Sequence, residues 1–152
     1  MKTLIITLEY PPQIGGIASY VFNFSKNFGS DKIVVYAPKM KGDKEFDQNN
    51  QWKTYRFEPF WFLRPRWMRM LLQVYRIIKK EKIEQIYLHH ILPVGQVAYW
   101  VKKFWRIPYT IFLHGTDVEV GTNKWFKKKK FAKICLQAKQ VVTNSEFLKN
   151  KL

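Results

Sequence analysis

Three short stretches hold residue types able to do chemistry: a glycine pair, a histidine pair and a His-Gly-Thr-Asp tetrad. Gly15-Gly16 ends the run Leu8-Glu9-Tyr10-Pro11-Pro12-Gln13-Ile14, and beyond it Ile17, Tyr20, Val21, Phe24 and Phe28 recur at helical spacing. Glycines that open a helix leave free backbone N–H groups at the positive end of the helix dipole, which favours a phosphate. A plain turn uses the same two residues, so the pair alone decides nothing. His89-His90 and His114-Gly115-Thr116-Asp117 each follow a short apolar run, as does Asn144-Ser145. A histidine there is either an ordinary strand-end residue or a hydrogen-bonding group of a site. His89, Asp117 and Ser145 read first as turn, cap or solvated residues.

The elements that must position these residues alternate in kind. Thr3 to Thr7 is Ile/Leu-rich and reads as a buried strand, followed by the helix that Gly15-Gly16 opens. Lys32 to Ala37 makes a second strand, ended by Pro38, and the polar stretch Lys39 to Asn50 reads as a loop. Gln51 to Phe57 is a weakly alternating strand, and the aromatic segment Glu58 to Pro65 leads into a helix from about Arg66 to Lys80. Ile83 to Leu88 is a strand, Pro93 to Trp105 a helix, Pro108 to Leu113 a strand and Asn123 to Ala138 a lysine-rich helix. Gln140 to Thr143 is a last strand, and Ser145 caps a further helix running to Leu152. Strands that are short, continuous in apolar residues and separated by helices predict an α/β fold: a single Rossmann-like, doubly wound, mainly parallel sheet with helices on both faces. Right-handed crossovers put every strand-to-helix loop on one edge, so the three stretches and Asn144-Ser145 converge there. Ligands of open α/β sheets bind at that edge.

Composition narrows the partners. With 27 Lys+Arg against 11 Asp+Glu, the formal charge is +16, an excess that suits a polyanion. Hydrophobic content of 47% over 152 residues supports one globular domain. Cys135 is the single cysteine, so neither an internal disulfide nor a cysteine-rich zinc site is available, and it reads as a small apolar helix residue. The start of the chain enters a strand without a signal-peptide pattern, and the longest uncharged stretch, Gln85 to Val101, is too short to span a bilayer. The expectation is a cytoplasmic protein, peripheral on the inner face of a membrane.

The two common nucleotide patterns fail on the glycine loop. A dinucleotide site wants G-x-G-x-x-G and an acidic residue after the second strand, where Ala37-Pro38-Lys39 stands. A Walker A loop needs Gly-Lys-Ser/Thr, and that is absent. Taken whole, LIITLEYPPQIGGIASYVFNF, the strand with His90, FLHGTDV and VVTNSEFLKNKL come in the order of, and resemble, the N-terminal domain of retaining GT-B glycosyltransferases of family 4. The resemblance covers nearly all of the chain.

What it implies is residue-specific. Gly15 and Gly16 would approach a donor diphosphate. His114 would face the reacting sugar and hydrogen-bond a hydroxyl as the glycosidic bond breaks. Gly115 would admit close backbone approach, Asp117 and His90 would line the acceptor side, and Ser145 would sit near the cleft floor. Glu9 can bind sugar hydroxyls or equally order its own loop. The donor is a nucleotide-sugar, the acceptor a glycan or lipid-linked molecule, and neither a cofactor nor a metal is expected. The chain corresponds to residues 1–152 of an acceptor-side domain that stops before the hinge. The donor-binding C-terminal domain lies outside it, so this polypeptide alone is expected to be inactive. The alternative is a non-catalytic binding module, or a split-enzyme subunit that recruits a separate donor-binding partner.

The resemblance also implies a membrane surface, since relatives that glycosylate lipids sit on membranes through this domain. Phe60, Trp61, Phe62 and Trp67, with Arg64, Arg66, Arg69 and Arg76, fit an interfacial anchor. On a helical wheel Arg66, Arg69, Gln73, Arg76 and Lys80 form a polar arc opposite Trp67, Met70, Leu71, Val74, Ile77 and Ile78, while Met68, Leu72 and Tyr75 widen the apolar face. The Lys127–Lys130 run either adds to that surface or is a solvated helix face. Nucleic acid fits less well, as no RRM, KH or zinc-finger pattern is present.

Overall fold

The computed structural model describes residues 1–58, 66–115 and 125–143, the side chains of Arg66 and Phe126 excepted. Six parallel strands form one sheet: β1 Thr3–Ile6, β2 Ile33–Pro38, β3 Lys53–Phe57, β4 Gln85–Leu88, β5 Tyr109–Leu113 and β6 Gln140–Thr143. Their order is β3-β2-β1-β4-β5-β6. The chain winds outward from β1 in one direction and then, from β4, in the other. The point where the winding reverses lies between β1 and β4, whose Ile6 and Leu88 are in register, and that is where such sheets open a crevice.

Both faces of the central strands are covered, which is why TLII and IVVYAP are apolar without alternation. On one face α1 (Gly16–Ser25) packs Val21 over Ile5, Ile33, Val35 and Ala37, with Phe22 and Phe24 alongside. On the other, α3 (Arg66–Glu81) and α4 (Val94–Trp105) bury Met70, Val74, Ile77, Val97, Ala98 and Val101 against Leu4, Ile6, Val34, Ile86 and Leu88. Helix α5 (Trp125–Gln137) adds Phe131 and Ile134 to the same core. It comes close to α4 at Gly95, where an added Cβ would lie 3.0 Å from Ile134 Cγ2.

The strand and helix assignments made from sequence agree with this structure to within a residue or two at most ends. The exception is Lys39 to Asn50: a six-residue helix, α2 (Asp43–Gln48), interrupts it. Its polar sequence hides one anchor, Phe46, which packs beside Phe22 and Tyr10. Met40 N–H donates to Asp43 Oδ2 at 3.1 Å and so fixes the turn that starts the helix. Phe60, Trp61, Phe62, Arg64, Asp117 and Ser145, the helix expected after Ser145 and the Arg66 side chain lie outside the described residues.

Candidate active site

The loop after β1 is held from three sides. Tyr10 is a buried plug at its middle, edge-on to Phe22 and Phe46, and its hydroxyl accepts a hydrogen bond from Trp52 Nε1 at 2.9 Å. Burial pushes the Tyr10 hydroxyl pKa well up, so it stays a neutral phenol. Arg56, itself nearly buried, donates from Nη2 to Pro11 O at 2.7 Å and from Nη1 to Pro38 O at 3.0 Å. The same guanidinium grips Asp47 through Nε and Nη2 at 2.9 and 2.7 Å. This two-point pairing fixes the plane of the fork, and with it the start of the glycine loop. Nothing in the sequence singled out Arg56, because its importance comes from bringing β3, α2 and the β1 loop together.

His90 joins this loop to the end of β4. Leu8 N–H donates to His90 Nδ1 at 3.1 Å, and Thr7 Oγ1 lies 3.4 Å from the same nitrogen. The Thr7 hydroxyl donates to Glu9 O at 2.8 Å, so the backbone N–H is the donor to Nδ1. An N–H can only donate, which assigns Nδ1 as the acceptor and puts the proton of a neutral ring on Nε2. That nitrogen is 3.7 Å from Glu9 Oε1. Burial, then the neighbouring His114, lowers the His90 pKa to about 4. At neutral pH the His90 ring is therefore uncharged, and its approach to Glu9 is not an ion pair.

His89 points to the other face of the sheet. It is fully buried, stacks on Phe112 at 4.8 Å and meets Phe24 and Tyr20 edge-on. Neither ring nitrogen has a hydrogen-bond partner among the described residues. Desolvation holds its pKa down at about 3. His114 is buried at the end of β5, its ring 5.9 Å from His89 and 6.2 Å from His90. Burial lowers its pKa too, so three neutral imidazoles share one sheet edge. Tyr20 of α1, half exposed, stands edge-on to both His89 and His114 at 5.7 and 5.4 Å. The sequence marked Tyr20 only as one of the residues at helical spacing on α1; the structure sets its ring edge-on to the two histidines.

Helix α1 begins at this edge with no side-chain cap and no acidic residue in its first turn, so its first N–H groups are free of the usual local acceptors. An added Cβ at Gly15 would meet Glu9 Oε2 at 3.5 Å, an ordinary contact, and at Gly16 or Gly115 it would meet nothing within 4 Å among the described residues. None of the three has a backbone angle that demands glycine. Among the described residues nothing crowds the backbone at Gly16 and Gly115, so a ligand can come close there. Among the described residues no group of three or more His, Cys, Asp or Glu is arranged to hold a metal.

The structure brings together Glu9, Gly15, Gly16, His90, His114 and Gly115 from three loops on either side of the switch point. Trp67, Arg69 and Arg76 lie elsewhere, on α3. A Rossmann-order sheet with an uncapped helix N-terminus and buried imidazoles at its crevice defines an α/β protein that can hold an anionic, hydroxyl-bearing ligand. Comparison with known proteins names the class. Residues 14–152 match Glycosyltransferase Family 4, and the chain belongs to that family.

The chain is 25% identical over its whole length to an uncharacterised glycosyltransferase of Methanocaldococcus jannaschii, of which it covers 43%. It is 26% identical over 77% of its length to a GDP-mannose-dependent monoacylated α-(1-6)-phosphatidylinositol monomannoside mannosyltransferase of Corynebacterium glutamicum, covering 31% of that protein. The crystal structure of Anabaena HepE in complex with UDP superposes with a TM-score of 0.73 at 16% identity, over 99% of this chain and 40% of that one. The chain thus spans less than half the length of these relatives. Its fold is that of the N-terminal half of a GT-B glycosyltransferase.

Proposed function

We propose that this chain is the acceptor-side domain of a retaining glycosyltransferase that moves a sugar from a nucleotide-sugar to a glycan or lipid-linked acceptor at a membrane surface. The observation that carries the reading is the meeting of the uncapped α1 N-terminus with Glu9, His90 and His114 at the β1/β4 switch point. The N–H groups at Gly16 and beyond, with the helix dipole, stabilise the negative charge of a diphosphate. A neutral His114 can hydrogen-bond a sugar hydroxyl through a ring nitrogen. Glu9, whose carboxyl oxygen stands 3.7 Å from His90 Nε2, accepts from acceptor hydroxyls. Gly115, Asp117 and Ser145 complete the acceptor side in this reading, which calls for no metal. UDP, in the HepE structure, and GDP-mannose, in the corynebacterial enzyme's name, mark the donor class.

The larger electrostatic term, stabilisation of the departing nucleoside diphosphate, belongs to a second domain of the whole enzyme. The pure 152-residue chain therefore transfers no sugar on its own. Two-dimensional NMR of the isotope-labelled chain, titrated with UDP-glucose and with GDP-mannose, tests the binding half of the proposal. The amides of Gly15 to Ile17 and the His114 ring should shift together with millimolar affinity, and His114→Ala should remove the ring response while leaving the amides. No shift at the α1 N-terminus with either nucleotide-sugar, or transfer by the chain alone, would overturn it.

A further inference from the structure

Three rings from three elements meet at the crevice: Tyr20 of α1, His89 at the end of β4 and His114 at the end of β5. Their centroids form a nearly even triangle, with Tyr20 5.7 Å from His89 and 5.4 Å from His114, and the two histidines 5.9 Å apart. Tyr20 stands steeply to both imidazoles, at 64° and 79°, while the imidazoles lie within 28° of one another. An edge-on ring set against two near-parallel ones resists the turning of either. Phe24, one turn further along α1, stacks behind Tyr20 at 6.2 Å and itself meets His89 and Phe112 at 5.2 and 4.9 Å.

Tyr20 is not needed to close the core. Ala18 and Val21 of the same helix are fully buried, whereas Tyr20 is 41% exposed. What it covers is the pair of imidazoles. Gly16 and Tyr20, four residues apart, share a face of α1 about 6 Å apart along its axis. The ring therefore stands between the free N–H groups of the helix start and His114.

From this we infer that Tyr20 is the positioning residue of the site: its ring fixes the plane of His114 and keeps water from it, so that the imidazole meets a bound sugar in one orientation. The inference rests on the nucleotide-sugar reading above and adds how its histidine is held. A hydrogen bond weakens steeply as its angle opens, so an imidazole free to turn would lose its sugar hydroxyl. A sugar parting from its diphosphate also builds positive charge on its ring, and an imidazolium facing that ring would oppose it. Burial already lowers the His114 pKa. The titratable groups set against it are Tyr20 from α1, His89 and His90 from the end of β4, both held uncharged by burial, and Glu9 beyond His90. Of the three rings among these groups Tyr20 alone is exposed, so removing it admits water to His114.

Tyr20→Ser and Tyr20→Phe test the inference in the 152-residue chain, read by NMR of the imidazole C–H signals. Without ligand, Tyr20→Ser should raise the His114 titration midpoint toward the ordinary imidazole value of about 6.5. Tyr20→Phe should titrate as the parent does, because the contacts are those of the ring. With UDP-glucose, Tyr20→Ser should weaken the His114 ring response about threefold or more, while the amides of Gly15 to Ile17 still shift. Ser19→Ala, at an exposed position on the same turn, should change neither reading. Tyr20→Leu, which keeps apolar bulk without a ring, gives the same readings if the serine variant does not fold. A His114 midpoint unmoved in Tyr20→Ser and Tyr20→Leu would overturn the inference and leave the site reading standing. A Tyr20→Phe chain as altered as Tyr20→Ser would assign the effect to the hydroxyl and overturn positioning by the ring. A parent chain that answers to no nucleotide-sugar would overturn the function proposed above, and with it the part of Tyr20 in the reaction, even where the midpoint moves.

Discussion

The two helical layers that cover this sheet solve the same inner problem and differ on the outside. Beneath each lies a run of buried Ile, Val and Leu that must be kept from water. The α1–α2 layer does this with rings that mostly meet one another: Phe22, Phe24, Phe28, Phe46, Tyr10 and Trp52. Its acidic residues, Asp43, Glu45 and Asp47, are on α2, and one of them serves Arg56 at the site. The α3–α5 layer covers the larger core, yet leaves Met, Leu, Phe and Trp outside among lysines and arginines. Folding explains inner faces, and the sheet asks nothing of the outer ones. An outer face that is both apolar and of one charge is therefore specified by something other than the sheet.

The sharpest way to break the comparison is to make one change at two depths of α3. Val74→Gln puts an amide without partners into the closed core and should cost about 3 kcal/mol. Leu72→Gln, two residues away on the outer face, should stay within about 0.5 kcal/mol. Urea denaturation of the two variants gives both numbers, and a large loss at Leu72 would mean that this face is already covered.

Arg56→Ala comes next. It removes the clamp on Pro11, Pro38 and Asp47 and leaves Asp47 without its partner, for about 3 kcal/mol. If Arg56 braces the glycine loop, amide exchange at Tyr10 and at Gln13 to Gly15 should rise more than at α3. Equal change in both layers would make Arg56 a general stabiliser and not a support of the site.

Glu81 supplies a smaller, pH-marked effect. Hydrogen bonds from Lys53, Tyr55 and Lys2 hold its carboxyl at about 2, below the unfolded value of 4.5. A depressed carboxyl stabilises the fold above its unfolded pKa, and that contribution is lost as pH falls from about 4.5 to about 2. Glu81→Gln should cost about 1–2 kcal/mol at pH 7, after screening by solvent, and flatten the acid limb of stability in that window. Thermal melts across the pH range read both effects.

The smallest change should run in the favourable direction. His89 is buried with two unpartnered ring nitrogens among the described residues, and its low pKa means that the unfolded chain takes up protons first. Its presence thus makes stability fall as pH drops below about 6.5. His89→Phe keeps the stack on Phe112, removes the unsatisfied polar atoms and should raise stability by about 1 kcal/mol at pH 7, more at pH 5. A loss instead would show that His89 has a hydrogen-bonded role in the folded protein.

The strand cores, the loop edge and the family were legible because each is written in local pattern. Buried strands such as IVVYAP are continuous in apolar residues, helix faces repeat every three or four, and Gly15-Gly16 and His114-Gly115 stand directly after strands. Helix α2 was not legible, since one buried ring, Phe46, anchors six polar residues. The division of the site was not legible either. His89 and His90 are adjacent in sequence, but successive strand residues face opposite sides of a sheet. One of them therefore joins the α1 aromatics and the other clasps the β1 loop. Arg56 and Tyr20 became site residues only when β3 and α1 were brought to the β1/β4 edge.

By itself, then, the sequence determined the kind of sheet, the edge where its strand-to-helix loops gather, the family and the total charge, because periodicity, turn chemistry and composition are properties of neighbours along the chain. The tertiary structure alone decided which nitrogen of His90 carries the proton, what holds the glycine loop, and that five of the eight large apolar side chains exposed among the described residues lie on three neighbouring helices. These depend on contacts across dozens of residues, Leu8 to His90 or Pro11 to Arg56, which no local pattern records.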